Sequence, residues 1–444
     1  MNTENMTSTI SAKDVRNVLG RHILVDGFDF VMDIENSKGS WILDEATGEK
    51  YLDMFSMFAS ASIGYNHPYL VERTEWLGKM AINKPTLADV YSLEYAEFME
   101  TFERVVIPEH LSYAFFVSGG TLAVENAMKA CFDWKTRKNM ENGLSQEADI
   151  CIHFKQAFHG RSGYTLSLTN TADPRKYEYF PKFPWPRILN PHLVFPLTEV
   201  SLEETEKQEK LALLNIEEAI LSNPNRVACI IIEPIQAEGG DHHFRDEFFQ
   251  GLREICDQNE VLLIFDEVQT GIGITGKMWA HEHFSINPDI IAFGKKTQVC
   301  GILANKVKFD EVERNVFRES SRINSTFGGN FIDMMRLKLI LEVIEQEDLV
   351  KNAEVVGKHL LALLEDLERN YPGKVSAARG RGLMCAIDLP SKEFRDQMQA
   401  KLFEKKLIIL GCGENSLRFR PHLNVSKEEI DLAVDKIKEV LEEL

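Results

Sequence analysis

A carboxylate and an amine each follow a short apolar segment of this chain, and this placement would bring two reactive groups to one ligand site. Asp266 comes directly after residues 261–265, and Lys295 comes after residues 290–293 and a single glycine. Both segments are short and partly β-branched, which is typical of buried parallel strands. Such strands end at one edge of a sheet, where ligands bind in open α/β folds. We therefore expect Asp266 and Lys295 to contact the same ligand.

The pair suits a ligand that carries an aldehyde and a pyridine ring. A lysine that is partly desolvated and deprotonated can form a Schiff base with an aldehyde. A carboxylate can keep a pyridine nitrogen protonated, so that the ring withdraws electrons from a bound carbanion. Pyridoxal phosphate (PLP) has both groups. A salt bridge in a loop is the alternative interpretation of Asp266 and Lys295, and the spacing alone does not separate the two.

A glycine-rich turn follows another predicted strand. Residues 114–117 are apolar, residues 118–121 include Gly120 and Thr121, and residues 122–138 have a helical pattern. Glycines let the backbone approach a ligand, and the free N–H groups and dipole of a helix start favour phosphate. The turn alone is a weak signal, and it does not match the dinucleotide or P-loop spacing.

Two further segments also begin just after predicted strands. Phe158 and Arg161 follow residues 150–154, and an aromatic ring there could stack on a planar ligand, although a core phenylalanine and a surface arginine are the alternatives. Glu238 belongs to residues 233–240, which follow another apolar segment. Five segments therefore begin just after predicted strands: these two, the glycine-rich turn, and the segments of Asp266 and Lys295. Together they indicate one ligand site at one edge of the sheet.

The elements that position these residues form an α/β pattern. Helical and strand patterns alternate from about residue 85, and residues 30–53 read as a small antiparallel hairpin. A second α/β layer follows near the C-terminus and is expected to join the hairpin. A chain of 444 residues is typical of two domains. We predict a first part of the small domain at 1–75, a large domain at 76–335 and the rest of the small domain at 336–444.

Composition narrows the function classes. The formal net charge of −19 argues against nucleic acid or an anionic membrane as a partner. No apolar segment approaches the length of a membrane span, and the polar N-terminus lacks a signal peptide pattern. The seven cysteines include no CxxC pair, which favours reduced thiols and a cytoplasmic location. No metal site is predicted.

Several motifs together resemble the class III (ornithine/4-aminobutyrate type) aminotransferases of PLP fold type I. They are FDEVQTGIGITGKMWAHEH, IIEPIQAEGGD, SGGTLAVENAMK, AFHGR and FGKK. The resemblance extends from the hairpin to the C-terminal LRFRP and covers most of the chain. It implies a large domain with a mostly parallel seven-stranded sheet, a smaller α/β domain built from both termini, and a homodimer with shared active sites.

The resemblance also implies the roles of the cofactor-binding residues. Lys295 would form the Schiff base with PLP and carry protons, with Lys296 as its rival, and Asp266 would pair with the pyridinium nitrogen. The other contacts would be Gly120 and Thr121 to the phosphate, Phe158 to the ring face, Gln269 to the 3-oxygen, and Thr326 to the phosphate of the other subunit's cofactor.

Substrates follow from the branch that the chain resembles. The stretches GKKTQVCG and SRINSTFGGN resemble the lysine 6-aminotransferases, which implies transfer of the terminal amino group of L-lysine to 2-oxoglutarate. Arg161 would clamp the lysine carboxylate, and Gln269 and Asn324 would also contact substrate. Glu238 would mask Arg418 until 2-oxoglutarate arrives, with Arg420 as the alternative cation. 4-Aminobutyrate, ornithine or another ω-amine is the alternative substrate, and a non-catalytic binding protein of the same fold is the alternative class.

Overall fold

The computed structural model describes residues 10–144 and 147–444. The polar N-terminus, residues 1–9, lies outside the described residues, so the absence of a signal peptide there stays a prediction. The strands in the described part are β1 (Trp41–Leu43), β2 (Lys50–Asp53), β3 (Tyr113–Val117), β4 (Ile150–Phe154), β5 (Arg187–Ile188), β6 (Val227–Ile232), β7 (Leu262–Asp266), β8 (Ile290–Phe293), β9 (Cys300–Ala304), β10 (Ser376–Arg381), β11 (Met384–Asp388), β12 (Leu407–Ile408), β13 (Leu410–Cys412) and β14 (Ser416–Phe419).

The α-helices range from single turns to long amphipathic elements. They are α1 (Val15–Leu19), α2 (Ser56–Ala59), α3 (Pro68–Val71), α4 (Thr74–Ile82), α5 (Leu93–Val106), α6 (Gly120–Glu141), α7 (Gly163–Leu168), α8 (Glu199–Ser222), α9 (Ala237–Gly240), α10 (Asp246–Asn259), α11 (Lys306–Phe309), α12 (Phe331–Gln346), α13 (Leu349–Asn370), α14 (Lys392–Glu404) and α15 (Lys427–Glu443). None of the described helices is long and apolar enough to cross a membrane.

A seven-stranded sheet forms the centre of the fold, in the order β3-β9-β8-β7-β6-β4-β5. Neighbouring strands from β8 to β5 are parallel, whereas β9 is antiparallel to both β3 and β8. Every residue of β4, β6, β7, β8 and β9 is buried, as expected of strands covered by helices on both faces. The predicted α/β fold with a mostly parallel sheet of seven strands is confirmed.

Alternate residues of β7 face two different helical layers. Ile264 belongs to the apolar cluster that contains Val124 and Ala127 of α6. Phe265 points the other way and its ring lies 5.0 Å from that of Phe249 in α10, between ring centroids. This two-sided burial fixes the register of β7, because a shift by one residue would exchange the two faces. The strand therefore ends at Asp266 in a defined orientation.

Register also brings the two predicted catalytic residues to one edge. Asp266 pairs with Ala292 in the parallel ladder of β7 and β8, and β8 ends at Phe293. Lys295 follows one residue after Gly294. The carboxylate and the amine thus leave adjacent parallel strands at the same end, as the strand pattern predicts.

Two smaller sheets complete the fold, and one of them, in the order β1-β2-β12, combines the N- and C-terminal parts of the chain. β12 lies parallel to β2, with Leu407 opposite Leu52, so the predicted association of the hairpin with the C-terminal layer is confirmed. The other sheet has the order β10-β11-β14-β13 and is antiparallel. It carries Arg418 on β14 toward the edge of the large sheet. The domain limits at residues 75 and 335 stay a prediction.

Candidate active site

A cavity of 210 Å³ lies at the edge of the large sheet where the parallel strands end. Seven of the predicted site residues line it, and each comes from a segment directly after a strand or from the turn before α6. The lining residues are Gly120, Thr121, Phe158, His159, Gly160, Glu233, Glu238, Asp266, Val268, Gln269 and Lys295. The convergence predicted from five separate segments is therefore what the structure shows.

The Asp266 carboxylate is held by two donors in a nearly closed environment. Its Oδ1 accepts a hydrogen bond from the backbone N–H of Val268 at 3.0 Å, and its Oδ2 lies 2.8 Å from Nδ1 of His159. Asp266 is 5% exposed and His159 is 3% exposed. An ionised carboxylate only accepts hydrogen bonds, so Nδ1 of His159 carries the proton. His159 was not predicted, although it adjoins Phe158 in the AFHGR motif.

Lys295 presents its amine to the same cavity from a strained backbone. Its φ of +54° lies in the left-handed region, which non-glycine residues rarely adopt outside functional sites. Burial and the nearby Arg418 lower the pKa of the Lys295 amine to about 8. A larger fraction of this amine is therefore neutral near pH 7 than of an ordinary lysine, which suits attack on a carbonyl and proton transfer.

Lys296 is engaged elsewhere. Its Nζ donates a hydrogen bond to the backbone carbonyl of Gln269 at 2.8 Å, and its own carbonyl accepts from the Ser62 hydroxyl at 2.7 Å. Lys296 is buried and is not among the residues that line the cavity. Of the two neighbouring lysines, the structure brings Lys295 to the cavity.

The turn before α6 provides an anion-binding helix start. Gly119 caps the helix with a φ of +111°, and α6 runs for 22 residues from Gly120. Gly160 packs against this turn with a φ of +134°, and a Cβ there would lie 2.4 Å from Oγ1 of Thr121. Unpaired N–H groups and the helix dipole favour a phosphate at this place. Glycine is required at position 160 because any side chain would occupy the space beside Thr121.

Glu233 supports the aromatic wall of the cavity. It is 5% exposed, and its carboxyl oxygens accept from the backbone N–H groups of Phe158 at 3.0 Å and Ala237 at 3.2 Å. Burial raises the pKa of Glu233 to about 7. The segment around Glu233 was predicted to face the site, but its function as a brace for Phe158 was not.

Glu238 forms an ion pair with Arg418 and not with Arg420. Nη2 of Arg418 donates to Oε2 of Glu238 at 2.9 Å. Arg420 instead pairs with Asp241, and its Nε donates to Oε1 of Gln269 at 2.9 Å. Of the two arginines in the LRFRP motif, Arg418 is therefore the one that pairs with Glu238, and its role toward substrate stays a prediction.

Four predicted site residues do not line the cavity of the single chain. One is Arg418, which pairs with Glu238 of the cavity wall, and the other three, Arg161, Asn324 and Thr326, are exposed. Arg161 follows Gly160 directly, so it lies next to the cavity wall in sequence. Asn324 and Thr326 belong to the polar, glycine-rich segment before α12, and the Asn324 side chain accepts a hydrogen bond from the backbone of Ser325 at 2.8 Å. Their roles stay predictions.

The residues around the cavity fit PLP. The helix start at Gly120 suits a phosphate, the buried Asp266 suits a protonated ring nitrogen, and the amine of Lys295 suits an aldehyde. An engineered apolar cavity of about 150 Å³ holds benzene, so the 210 Å³ space can take one substituted ring. In the described residues no group of His, Cys, Asp or Glu could hold a metal ion. The fold and the site define an enzyme of the PLP-dependent class.

The comparisons with known proteins identify the family. The model of the class III aminotransferases matches residues 25–441, so the chain belongs to this family, and PLP is its cofactor. It is 49% identical to the L-lysine-epsilon aminotransferase of Mycobacterium tuberculosis over 96% of this chain and 95% of that protein. It is 47% identical to the same-named protein of Amycolatopsis lactamdurans, with 96% and 95% covered.

The chain is less similar in sequence to a relative named for 4-aminobutyrate, and it is closely similar in structure to a solved lysine aminotransferase. The human mitochondrial 4-aminobutyrate aminotransferase is 32% identical, with 93% of this chain and 85% of that protein covered. A solved structure of the M. tuberculosis lysine aminotransferase superposes with a TM-score of 0.95 at 48% identity, over 98% of this chain and 99% of that one. The chain is more similar to the relatives named for lysine than to the relative named for 4-aminobutyrate.

Proposed function

We propose that the enzyme transfers the terminal amino group of L-lysine to 2-oxoglutarate. The products are 2-aminoadipate 6-semialdehyde, which cyclises to a piperideine carboxylate, and L-glutamate. The identities of 45–49% to relatives named for lysine, against 32–34% to relatives named for 4-aminobutyrate, support lysine as the donor. In the structure, the ion pair between Glu238 and Arg418 at the cavity wall carries the proposal, because it lets one site serve two differently charged substrates.

The chain supplies proton transfer and electrostatics to this reaction. When bound, PLP supplies the aldehyde that receives the amino group and the ring that accepts electrons. Lys295, with its pKa lowered to about 8, would move a proton from the substrate carbon that bears the amino group to the carbon of the cofactor's aldehyde group. Asp266, held by His159 and the N–H of Val268, keeps a negative charge fixed at the ring nitrogen. Phe158 covers one face of the cavity on the support of Glu233.

The donor and the acceptor differ in where they carry a carboxylate. Lysine has its only carboxylate far from the reacting nitrogen, and Arg161 binds it bidentately in our proposal. 2-Oxoglutarate adds a carboxylate next to the reacting carbon, which takes the place of Glu238 on Arg418. Gln269 and Asn324 complete the substrate contacts. With lysine bound, Glu238 neutralises Arg418, so no unpaired cation faces the donor.

The working unit in our proposal is a homodimer in the cytoplasm. Thr326 would bind the cofactor phosphate of the partner subunit, and its exposure on the single chain supports this assignment. The seven cysteines are buried free thiols, which supports a reducing compartment. Cross-linking or light scattering of the purified enzyme tests the dimer, and Thr326→Ala tests the shared site through its cofactor affinity.

An absorption experiment tests the reaction. The visible spectrum of the purified enzyme is recorded before and after addition of L-lysine, and the original spectrum is expected to return on addition of 2-oxoglutarate. Ornithine and 4-aminobutyrate are the matched comparisons at equal concentration. Faster spectral change with 4-aminobutyrate than with lysine would contradict the proposed donor, and no spectral change with any amine would contradict a transaminase.

A further inference from the structure

Glu238 lies between two cations that belong to different parts of the chain. Its Oε2 accepts from Arg418, and its Oε1 accepts a hydrogen bond from Nζ of Lys176. Burial acts to raise the pKa of Glu238, but Arg418 and Lys176 outweigh burial and hold this pKa below its ordinary value. The carboxylate is therefore ionised and shared between the two cations. Lys176 does not line the cavity that holds Asp266 and Lys295.

The two cations differ in how firmly they are held. Arg418 lies on β14 with 4% of its surface exposed, and its Nη1 also approaches the carbonyl of Ala237 at 3.5 Å. Lys176 ends the short turn Pro174–Lys176, and its side chain is 24% exposed. Arg418 is thus fixed by the sheet, whereas the long side chain of Lys176 can follow a carboxylate that moves.

The two cations also bind different oxygens of Glu238 and differ in their relation to the cavity. Glu238 lines both the 210 Å³ cavity and a neighbouring cleft of 800 Å³. Lys176 lines only the cleft, and its Nζ lies 5.8 Å from the ring centroid of Phe158. Arg418 lines neither space, but its charge adds to burial in lowering the pKa of Lys295, which lines the cavity. A carboxylate that leaves Arg418 therefore still has a cation on the cleft side.

We propose that Lys176 is a positioning residue for the 2-oxo acid half-reaction, because it retains Glu238 when the substrate carboxylate takes the place of Glu238 on Arg418. The inference rests on the exchange at Arg418 in the proposed function. A buried ion that loses its partner is strongly destabilised, so the exchange needs an anion for Arg418 and a cation for Glu238. The substrate meets the first need and Lys176 meets the second.

Lys176→Met tests this role, because methionine keeps an unbranched apolar side chain and removes the charge. We expect the half-saturating concentration of 2-oxoglutarate to rise about tenfold in single turnovers, as expected when a hydrogen bond between charged groups is lost. The rate with lysine in the other half-reaction should change less than about twofold, since Glu238 then stays on Arg418. Lys176→Arg should restore the affinity for 2-oxoglutarate.

Arg175→Met is the matched control in the same turn. Arg175 is exposed, and it pairs with Asp173 at 2.8 Å, whereas Lys176 pairs with Glu238. Both half-reactions are expected to be unchanged in this variant. Calorimetric titration with glutarate, a dicarboxylate that cannot react, provides a readout besides activity, and Lys176→Met should weaken glutarate binding by a factor similar to that for 2-oxoglutarate.

A double variant separates an action through Glu238 from a general structural effect. If Lys176 acts by holding Glu238, adding Lys176→Met to Glu238→Ala has no further effect on either half-reaction. An equal loss in both half-reactions, an unchanged response to 2-oxoglutarate, or a full additional loss in the double variant would each overturn the inference. Failure of the wild type to convert lysine would instead overturn the proposed donor, because the glutarate and 2-oxoglutarate measurements do not depend on it.

Discussion

Nδ1 of His159 lies 2.8 Å from Oδ2 of Asp266, and both side chains are buried where β4 and β7 end. The imidazole occupies one carboxylate oxygen and the N–H of Val268 occupies the other. The carboxylate is thus fixed in one orientation by a contact on each of its oxygens. A freely rotating carboxylate at this place could not hold a proton on a ring nitrogen with the same geometry.

His159→Phe is therefore expected to impair catalysis while leaving the fold intact. Loss of a hydrogen bond to a buried charged group costs roughly 1–3 kcal/mol, which corresponds to a fall in kcat of about 5- to 150-fold. His159→Asn keeps a donor near Asp266 and should lose less. The measurement is steady-state kinetics, with urea denaturation as the control for stability. An unchanged kcat in His159→Phe would show that the contact does not orient the carboxylate.

The two adjacent lysines predict different outcomes on substitution. Lys295→Ala is expected to lower turnover by about 10²–10⁴-fold, the range for loss of a positioned proton-transfer group. Lys296→Met removes the hydrogen bond to the carbonyl of Gln269 and should cost far less. Borohydride reduction attaches the cofactor permanently to the lysine that binds it, and peptide mass spectrometry then locates that lysine. We expect the label on Lys295 both in the wild type and in Lys296→Met. Label on Lys296 would contradict the assignment.

The site edge could be predicted because it depends on local pattern. Short β-branched runs mark buried parallel strands, and parallel strands end together, so Asp266 and Lys295 could be placed on one edge without coordinates. The α/β class and the association of the hairpin with the C-terminal layer could be predicted for the same reason. The two-residue strand β5 could not be predicted, because Arg187–Ile188 is too short to show a pattern.

Contacts between distant segments could not be predicted. Lys176 meets Glu238 only because a loop after α7 folds over the sheet edge, and nothing in its local sequence indicates that partner. The brace from Glu233 to the backbone of Phe158 depends in the same way on the spatial neighbourhood of β4 and β6. The direction of a strand also cannot be predicted from its own residues. The sequence of β9 is that of an ordinary apolar strand, yet β9 runs antiparallel to both of its neighbours.

Glu233 predicts a pH dependence of stability. Burial raises its pKa from an ordinary value of 4.5 to about 7, so the stability that protonation contributes is present below pH 4.5 and is lost as the pH rises past 7. Glu233→Gln stays neutral. The free energy of unfolding of this variant, relative to wild type, should therefore increase by up to about 3 kcal/mol between pH 5 and pH 8. Urea denaturation of both proteins at the two pH values measures the change, and a constant difference would contradict the raised pKa.

Glu238→Ala is expected to separate the two half-reactions. Without Glu238, Arg418 is a permanently unpaired cation at the cavity, which disfavours the donor and leaves the acceptor carboxylate free to bind. The lysine half-reaction should therefore slow by about tenfold or more, the effect of an uncompensated buried charge, while the 2-oxoglutarate half-reaction changes little. Stopped-flow absorbance measures each half-reaction separately. Equal losses in both would show that Glu238 and Arg418 form a fixed salt bridge.

Gly160→Ala tests the packing beside the helix start. Gly160 has a φ of +134°, and a Cβ would lie 2.4 Å from Oγ1 of Thr121 and 2.6 Å from Oγ1 of Thr165. The variant must strain the backbone at a cost of about 1–3 kcal/mol and displace Thr121, which we expect to contact the phosphate. We expect a cofactor dissociation constant raised about tenfold, since 1.4 kcal/mol corresponds to that factor.

Gly78→Ala is the matched control for this substitution. Gly78 lies within α4, and among the described residues a Cβ there would meet no atom within 4 Å beyond its chain neighbours and the adjoining helix backbone. Alanine in a helix is favoured over glycine by roughly 0.5–1 kcal/mol, so this variant should gain stability and keep the wild-type cofactor affinity. Spectrophotometric titration of the apoenzyme with PLP compares the two variants. If Gly160→Ala binds PLP as tightly as Gly78→Ala does, the close approach of Gly160 to Thr121 has no function in holding the phosphate, and the helix start alone accounts for the site.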